Sequence, residues 1–299
     1  MKKVIFFFED NWAFGSIHRA LEKELFKYDI YANVLDWRNP YSYDELKYIS
    51  DTYDYFVTLP TVIEYLMSGG IPLEKMICVA HSAYEIFQSN AINTHITTNY
   101  YDLHSYGVIT PELEYLAQFS GCKKEVKIVR NGVHFDYLYS KPSESLKTIG
   151  YSTSMLSHNF FGQDKKRGYI AEKCANLCDL PFKPIKDQTF LALAGYYKTV
   201  DCVIQTALEE ACGLSMLEAA CAGKLCIGTN TGYLKYHSPN AGISHPINEE
   251  EFISNCVNTI NHYKDNPKEY VEKCLEIQSY ARDHYDWSVV IQDWVNLFN

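Results

Sequence analysis

With 299 residues, 47% of them hydrophobic and 21% charged, the chain can form two ordinary domains with real cores, which excludes a disordered chain. Its net charge of −10 disfavours nucleic acid and anionic membranes as main partners, because both demand cationic faces. No stretch approaches the ~18 apolar residues of a membrane span, so membrane association is expected to be peripheral at most.

Val4-Ile5-Phe6-Phe7-Phe8 is a short apolar run that meets Glu9-Asp10, and it reads as a central parallel strand rather than a signal peptide. The chain then passes through Gly15-Ser16 into a helical pattern from Ile17 to Phe26. Strands follow at Asp29–Leu35, Tyr53–Thr58, Met76–Ala80 (ending in His81-Ser82), His95–Thr98 and Val126–Val129. Helices are expected over 43–50, Thr61–Met67 and Pro111–Phe119, the last with proline at its first position. The polar, proline-containing segment Tyr139–Ser145 reads as a linker. Beyond it the alternation restarts, with strands at Thr148–Ser152, 182–185, Asp201–Thr206 and Leu225–Thr229 and helices at 168–178 and 190–198. Helical stretches at Phe252–Tyr263 and Tyr270–His284 follow, with a break at Asp286-Trp287-Ser288 and a resumption to Phe298. Strands alternating with helices imply parallel sheets covered on both faces, and two such halves facing each other would make a cleft at the strand ends. The ten cysteines lie mostly inside apolar runs with no Cys-x-x-Cys pair, so free thiols in a reducing cytoplasm are expected. No Asp-x-Asp occurs, so no metal-chelating carboxylate pair of that kind is present and no metal cofactor is expected.

The richest stretch runs from Glu209 to Lys224. Leu214, Leu217 and Cys221 recur with helical spacing, Gly213 suits the first turn and Gly223 suits the stop. A helix amino terminus offers unpaired N–H groups and a positive dipole end, a site suited to a diphosphate. Gly213 lets the backbone approach closely, and Leu214 and Ser215 would present amides to phosphate oxygens. Glu210 would lie near the sugar beyond the phosphate, and Glu218 could accept two hydrogen bonds from a ribose diol. On the residues alone, helix charge compensation for Glu210 and a solvated face for Glu218 are the favoured readings.

The stretch resembles the Glu-x7-Glu signature of retaining GT-B glycosyltransferases of glycosyltransferase family 4. Glu210, Gly213, Leu214, Glu218, Ala219 and Gly223 match it, while Cys212 and Leu225 stand where the family has an aromatic residue and a proline. Gly228–Tyr233 resembles the family's A-T-x-x-G-G turn, with Tyr233 in place of the second glycine. Asn131-Gly132-Val133 and Asp286-Trp287-Ser288 resemble its N-G-V-D and F-S-W segments, in the family's order.

The resemblance implies an α/β, GT-B fold of two Rossmann-like parallel-sheet domains facing across a cleft. Its parts would be an acceptor-side domain over 1–140, a nucleotide-sugar-binding domain over 141–275 and a terminal helix over 276–299 returning to the first domain. It implies transfer of a sugar from a UDP- or GDP-sugar to an acceptor hydroxyl, without metal and with retention by a front-face route. The acceptor would be a glycan, a small molecule or a protein. By the same resemblance Glu210 contacts the donor sugar, Glu218 the ribose, and Gly213, Leu214 and Ser215 the distal phosphate. Gly15 and Ser16 resemble the glycine-rich turn after the first strand, and His81 the histidine facing the transferred sugar. The family's phosphate-neutralising Arg is absent from Ser152-Thr153-Ser154; Arg167 matches its Lys-Gly partner, and Lys165 or Lys166 would supply the missing charge. A sugar-nucleotide epimerase or hydrolase of the same fold, or a non-catalytic nucleotide or glycan-binding module, are the alternatives.

Overall fold

The structure is a computed structural model that describes all residues except 10–11, 93–101, 123, 159–161 and 186–189, together with the side chains of 12–14, 88–92 and 190–191. The chain divides into two units, Met1–Gly132 with Trp287–Asn299, and Val133–Asp286.

The first unit carries a six-stranded sheet built from β1 (Lys2–Phe8), β2 (Ile30–Asp36), β3 (Tyr55–Thr58), β4 (Met76–Ala80), β5 (Ser105–Val108) and β6 (Val126–Ile128). Their spatial order is β2-β1-β3-β4-β5-β6, and every pairing is parallel. The apolar run of β1 is buried because both of its faces are covered. Phe6 and Phe8 lie against His18 of α1 (Trp12–Leu25), at ring separations of 5.4 and 4.2 Å, while Phe7 turns the other way onto Tyr41 and Tyr65. This two-residue alternation explains why a strand inside a parallel sheet shows no polar face. The remaining helices of the unit are α2 (Tyr43–Thr52), α3 (Ile63–Ser68), α4 (Ala83–Ile92) and α5 (Pro111–Phe119). Ser42 and Glu45 form a reciprocal cap on α2, and Thr110 caps α5 ahead of Pro111.

The second unit holds β7 (Ile149–Tyr151), β8 (Phe182–Pro184), β9 (Cys202–Gln205), β10 (Leu225–Thr229) and β11 (Ile243–His245) in the order β11-β10-β9-β7-β8. Its helices are α6 (Phe135–Leu138), α7 (Gly168–Leu177), α8 (Phe190–Tyr197), α9 (Leu214–Cys221), α10 (Gly232–His237), α11 (Glu249–Asp265) and α12 (Pro267–Tyr285). This sheet is parallel throughout as well.

A last helix, α13 (Trp287–Val295), belongs to the first unit. Trp294 is fully buried 6.2 Å from Phe6, its indole N–H donates to the Arg130 carbonyl at 2.9 Å, and Asp293 accepts from the Arg130 guanidinium. The division falls at Gly132, ahead of the Tyr139–Ser145 stretch expected as the linker, because Phe135 and Leu138 are buried in the second core. The chain rejoins the first unit at Trp287, so residues 276–286 pack with the second.

α1 starts at Trp12, so Gly15 and Ser16 lie within the helix and do not form a turn ahead of it. The strand expected at His95–Thr98 lies outside the described residues; among those described, the strand that follows β4 in the chain and pairs with it is β5, which the sequence reading passed over. All ten cysteines are free thiols, eight of them buried. Among the described residues no helix is long and apolar enough to cross a membrane.

Candidate functional site

The second sheet runs outward from β7 in both directions, β8 on one side and β9, β10 and β11 on the other. In an open parallel sheet a ligand crevice opens at the carboxyl ends of the two strands where this reversal occurs. Here those strands are β7 and β9. The loops that leave them, together with α9, hold most of the residues singled out from the sequence.

After Gln205 the chain forms the segment Thr206–Gly213 and enters α9 at Leu214. Gly213 caps that helix in the left-handed region, φ 72° and ψ 53°, and a Cβ there would lie 3.1 Å from the Gln205 amide nitrogen. Both requirements select glycine. The first amides of α9, including those of Leu214 and Ser215, have no acceptor within the helix. Gly223 follows the helix at φ 68° and ends it as the sequence suggests.

The 206–213 segment is held from two sides. From the β7 side, the Thr206 hydroxyl lies 2.8 Å from the carbonyls of Lys166 and Arg167, and Leu208 N–H donates to the Lys165 carbonyl at 2.8 Å. From the β10 side, the Thr229 hydroxyl donates to the Ala207 carbonyl at 2.6 Å and Tyr233 N–H to the Cys212 carbonyl at 2.7 Å. Gly232 admits the close approach of Glu210 and Cys212, since a Cβ there would lie 2.9 Å from the Glu210 Cβ.

The basic cluster is arranged differently from the expectation that it is all directed at a phosphate. The Lys166 ammonium pairs with the Glu210 carboxylate, each side chain about five-sixths buried. Arg167 is turned inward: Nε donates to the Thr206 carbonyl at 2.8 Å and Nη1 to the Ile247 carbonyl at 3.0 Å. Its Nη2 is buried and has no partner among the described residues. Lys165, half-buried, has no carboxylate partner among the described residues, and its backbone N–H donates to the Ser157 carbonyl.

Glu218 stands on α9 with one oxygen 3.1 Å from the Tyr197 hydroxyl, and burial pushes its pKa up to about 7. Tyr197 is fully buried and also lies 3.1 Å from the Ser215 carbonyl. Gln205, 1% exposed at the end of β9, keeps both side-chain amide atoms without a partner among the described residues. Sequence reasoning passed over both of these residues. A polar residue ending an otherwise apolar buried strand was an available signal for Gln205, whereas nothing in the local pattern marks Tyr197.

In the first unit, His81 follows β4, buried edge-on to Phe8 at 5.7 Å. Burial pulls its pKa down to about 3, so the imidazole is neutral at physiological pH. Its backbone N–H donates to the Glu85 carboxyl at 2.6 Å, and burial raises that carboxyl to about 7. Gly15 is buried in α1 and Ser16 half-buried.

No family model matches the sequence, and no curated protein matches it. Solved structures match along its whole length. HepE of Anabaena, solved with UDP and glucose, superposes with a TM-score of 0.71 at 12% identity, covering 100% of this chain and 99% of that one. Sucrose-phosphate synthase from Thermosynechococcus elongatus gives 0.71 at 12% identity, covering 100% and 98%. The catalytic domain of starch synthase IV from Arabidopsis thaliana, bound to ADP and acarbose, gives 0.68 at 12% identity over 100% and 98%. The fold is therefore the α/β, GT-B fold that these glycosyltransferases share.

Proposed function

We propose that the chain is a retaining glycosyltransferase that binds a nucleotide-sugar donor at the carboxyl ends of β7 and β9 and transfers the sugar to an acceptor hydroxyl. The observation that carries this reading is that Glu210 and Gly213 lie just ahead of one helix and Glu218 on it, at the reversal point of the sheet. The amino-terminal amides of α9 would take the distal phosphate, a role that needs the left-handed Gly213. Glu218 would accept the ribose diol and Glu210 the sugar hydroxyls. The buried, unpartnered Nη2 of Arg167 is a donor suited to an anion.

Leaving-group charge would be stabilised by the α9 dipole and by Lys166, once Lys166 exchanges the Glu210 carboxylate for phosphate oxygen. The departing phosphate oxygen would take the acceptor proton, so no enzymic nucleophile or metal is assigned. His81 is proposed, on the family resemblance, to meet the transferred sugar as a neutral imidazole; Gly15 and Ser16 keep only that resemblance for a donor role. UDP and ADP complexes among the structural neighbours make nucleoside diphosphate sugars the first donors to test. Ten free thiols fit a reducing, cytoplasmic setting.

A thermal-shift screen against UDP, GDP, ADP and CMP sugars tests donor binding, because a ligand bound only by the folded state raises Tm. Anomeric analysis of the product then tests retention. The Lys166–Glu210 pair favours one second reading, a nucleotide-binding module without turnover. Tight donor binding with no transfer or hydrolysis over a broad acceptor panel would establish that reading instead.

A further inference from the structure

The Tyr197 hydroxyl is equidistant, at 3.1 Å, from the Ser215 carbonyl and the Glu218 carboxyl. A phenol carries one proton, whereas both neighbours accept when the carboxyl is ionised. Both contacts become full hydrogen bonds in one arrangement: Tyr197 donates to Ser215, and a protonated Glu218 donates to Tyr197. A ribose diol brings two O–H donors, which an ionised carboxylate accepts together and a protonated one does not. Resting on the nucleotide-sugar reading above, we propose that Tyr197 is the positioning residue of the ribose site. It orients the Glu218 carboxyl, keeps it hydrogen-bonded in the free protein, and exchanges that contact when the diol binds.

Uptake of ribose then releases one proton from Glu218 to solvent. The burial that raises Glu218 to about 7 sets this exchange near neutral pH. The thiols and phenol around it do not titrate there. Cys221 on α9, Cys202 of β9, Cys226 of β10, Cys274 of α12 and Tyr233 of α10 are all held above their ordinary values by burial and stay neutral. α6, also packed on α9, brings the exposed Asp136, and Cys221 feels the Asp286 carboxylate. From α8 comes Tyr197 itself, raised by burial, with the Ser152 hydroxyl beside it.

The test is calorimetric titration of the full chain with UDP and with ADP between pH 6 and 8, in two buffers of different ionisation enthalpy. The 2′,3′-dideoxy nucleotides, which carry the same diphosphate, serve as controls. Binding of UDP or ADP is expected to release a fraction of a proton that the dideoxy nucleotide does not, with affinity falling by about tenfold per unit below pH 7. Tyr197→Phe is expected to weaken the ribonucleotide by about tenfold, leave the dideoxy nucleotide unchanged and shift the pH profile. A packing role alone would weaken both nucleotides together. If Tyr197→Phe does not fold, Glu218→Gln decides through loss of the proton release. Ribonucleotide binding without extra proton release, or an unaltered profile in Tyr197→Phe, overturns the proposal. Binding of neither UDP nor ADP removes the nucleotide reading for these bases and the proposal with it.

Discussion

Lys166 and Glu210 meet as an ion pair although 44 residues separate them in the chain. The contact joins the loop after β7 to the loop after β9, the two segments that flank the proposed diphosphate site. It places a cation at that site and gives it a carboxylate partner that a phosphate would replace. Lys166→Met is expected to lower turnover by about 10²- to 10³-fold, the cost of removing a preorganised charge from a developing anion. Glu210→Gln is expected to impair sugar transfer while retaining nucleotide affinity, because Lys166 is then released to the phosphate. Steady-state kinetics and nucleotide titration of the two variants check this. Equal losses of nucleotide binding in both would contradict the division of roles.

Gly213 and Gln205 make a second pair with opposing requirements. Gly213→Ala must adopt φ 72° and press on the Gln205 amide, so a loss of about 1–2 kcal/mol is expected, with weakened donor binding. Gln205→Met removes a buried amide that has no partner among the described residues. Substitution of such a group by an apolar one of similar shape is expected to leave stability unchanged or raise it by about 1 kcal/mol. Urea denaturation of both variants checks the opposite signs. A large loss in Gln205→Met would mean that the amide is bonded in solution.

The pH dependence of stability follows from two carboxyls and two imidazoles with opposite effects. Glu85 and Glu218 are both raised to about 7 from an ordinary 4.5. The folded chain keeps their protons while the unfolded chain gives them up, so their contribution is full below about 4.5 and lost as pH rises through about 7. His81 is lowered to about 3 and His18 well below 6.5, both chiefly by burial. The unfolded chain protonates these first, so stability falls as pH drops below about 6.5. Between about 4.5 and 6.5 the two pairs offset, each proton being worth at most about 1.4 kcal/mol per pH unit. A nearly flat Tm across that window is expected, with a fall below it. Glu85→Gln combined with Glu218→Gln should tilt the window so that Tm rises with pH. An unchanged profile in the double variant would contradict the assignment.

How much of this was legible in the sequence depended on how local each cause is. The apolar run Val4–Phe8 and the glycine-bracketed helix Leu214–Cys221 could be read because composition and period within one element dictate them. β5 escaped because Ser-Tyr-Gly-Val has no apolar run, and its burial comes from neighbours such as Leu297, whose carbonyl accepts from Ser105 at 2.6 Å. α4 escaped because Ala83–Ile92 spreads its apolar residues around the helix and shows no clear stripe. At the site, the spacing of Glu210, Gly213 and Glu218 was readable, but their partners were not. Lys166 arrives from the loop after β7, Tyr197 from α8 and Gln205 from the end of β9, and only the topology of the sheet brings them together.

The return of α13 to the first unit rests on Gly132 and Trp287. A Cβ on Gly132 would lie 2.5 Å from Trp287 Cδ2 and 2.8 Å from Val290 Cγ2, and Trp287 is 3% exposed. The indole cannot yield without opening the packing of the helix, so Gly132→Ala is expected to cost about 1–3 kcal/mol. Trp294→Ala, which empties a fully buried site beside Phe6 and frees the Arg130 carbonyl, is expected to cost about 3–5 kcal/mol. Both changes strike the first unit and leave the core of the second intact. Calorimetric unfolding should therefore show a lowered transition for the first unit, with earlier proteolysis near residues 287–299. The nucleotide-dependent rise of the second unit's transition should remain. Loss of nucleotide binding in a folded Gly132→Ala variant would show that the nucleotide site depends on α13, against its proposed position on the loops after β7 and β9 and the start of α9.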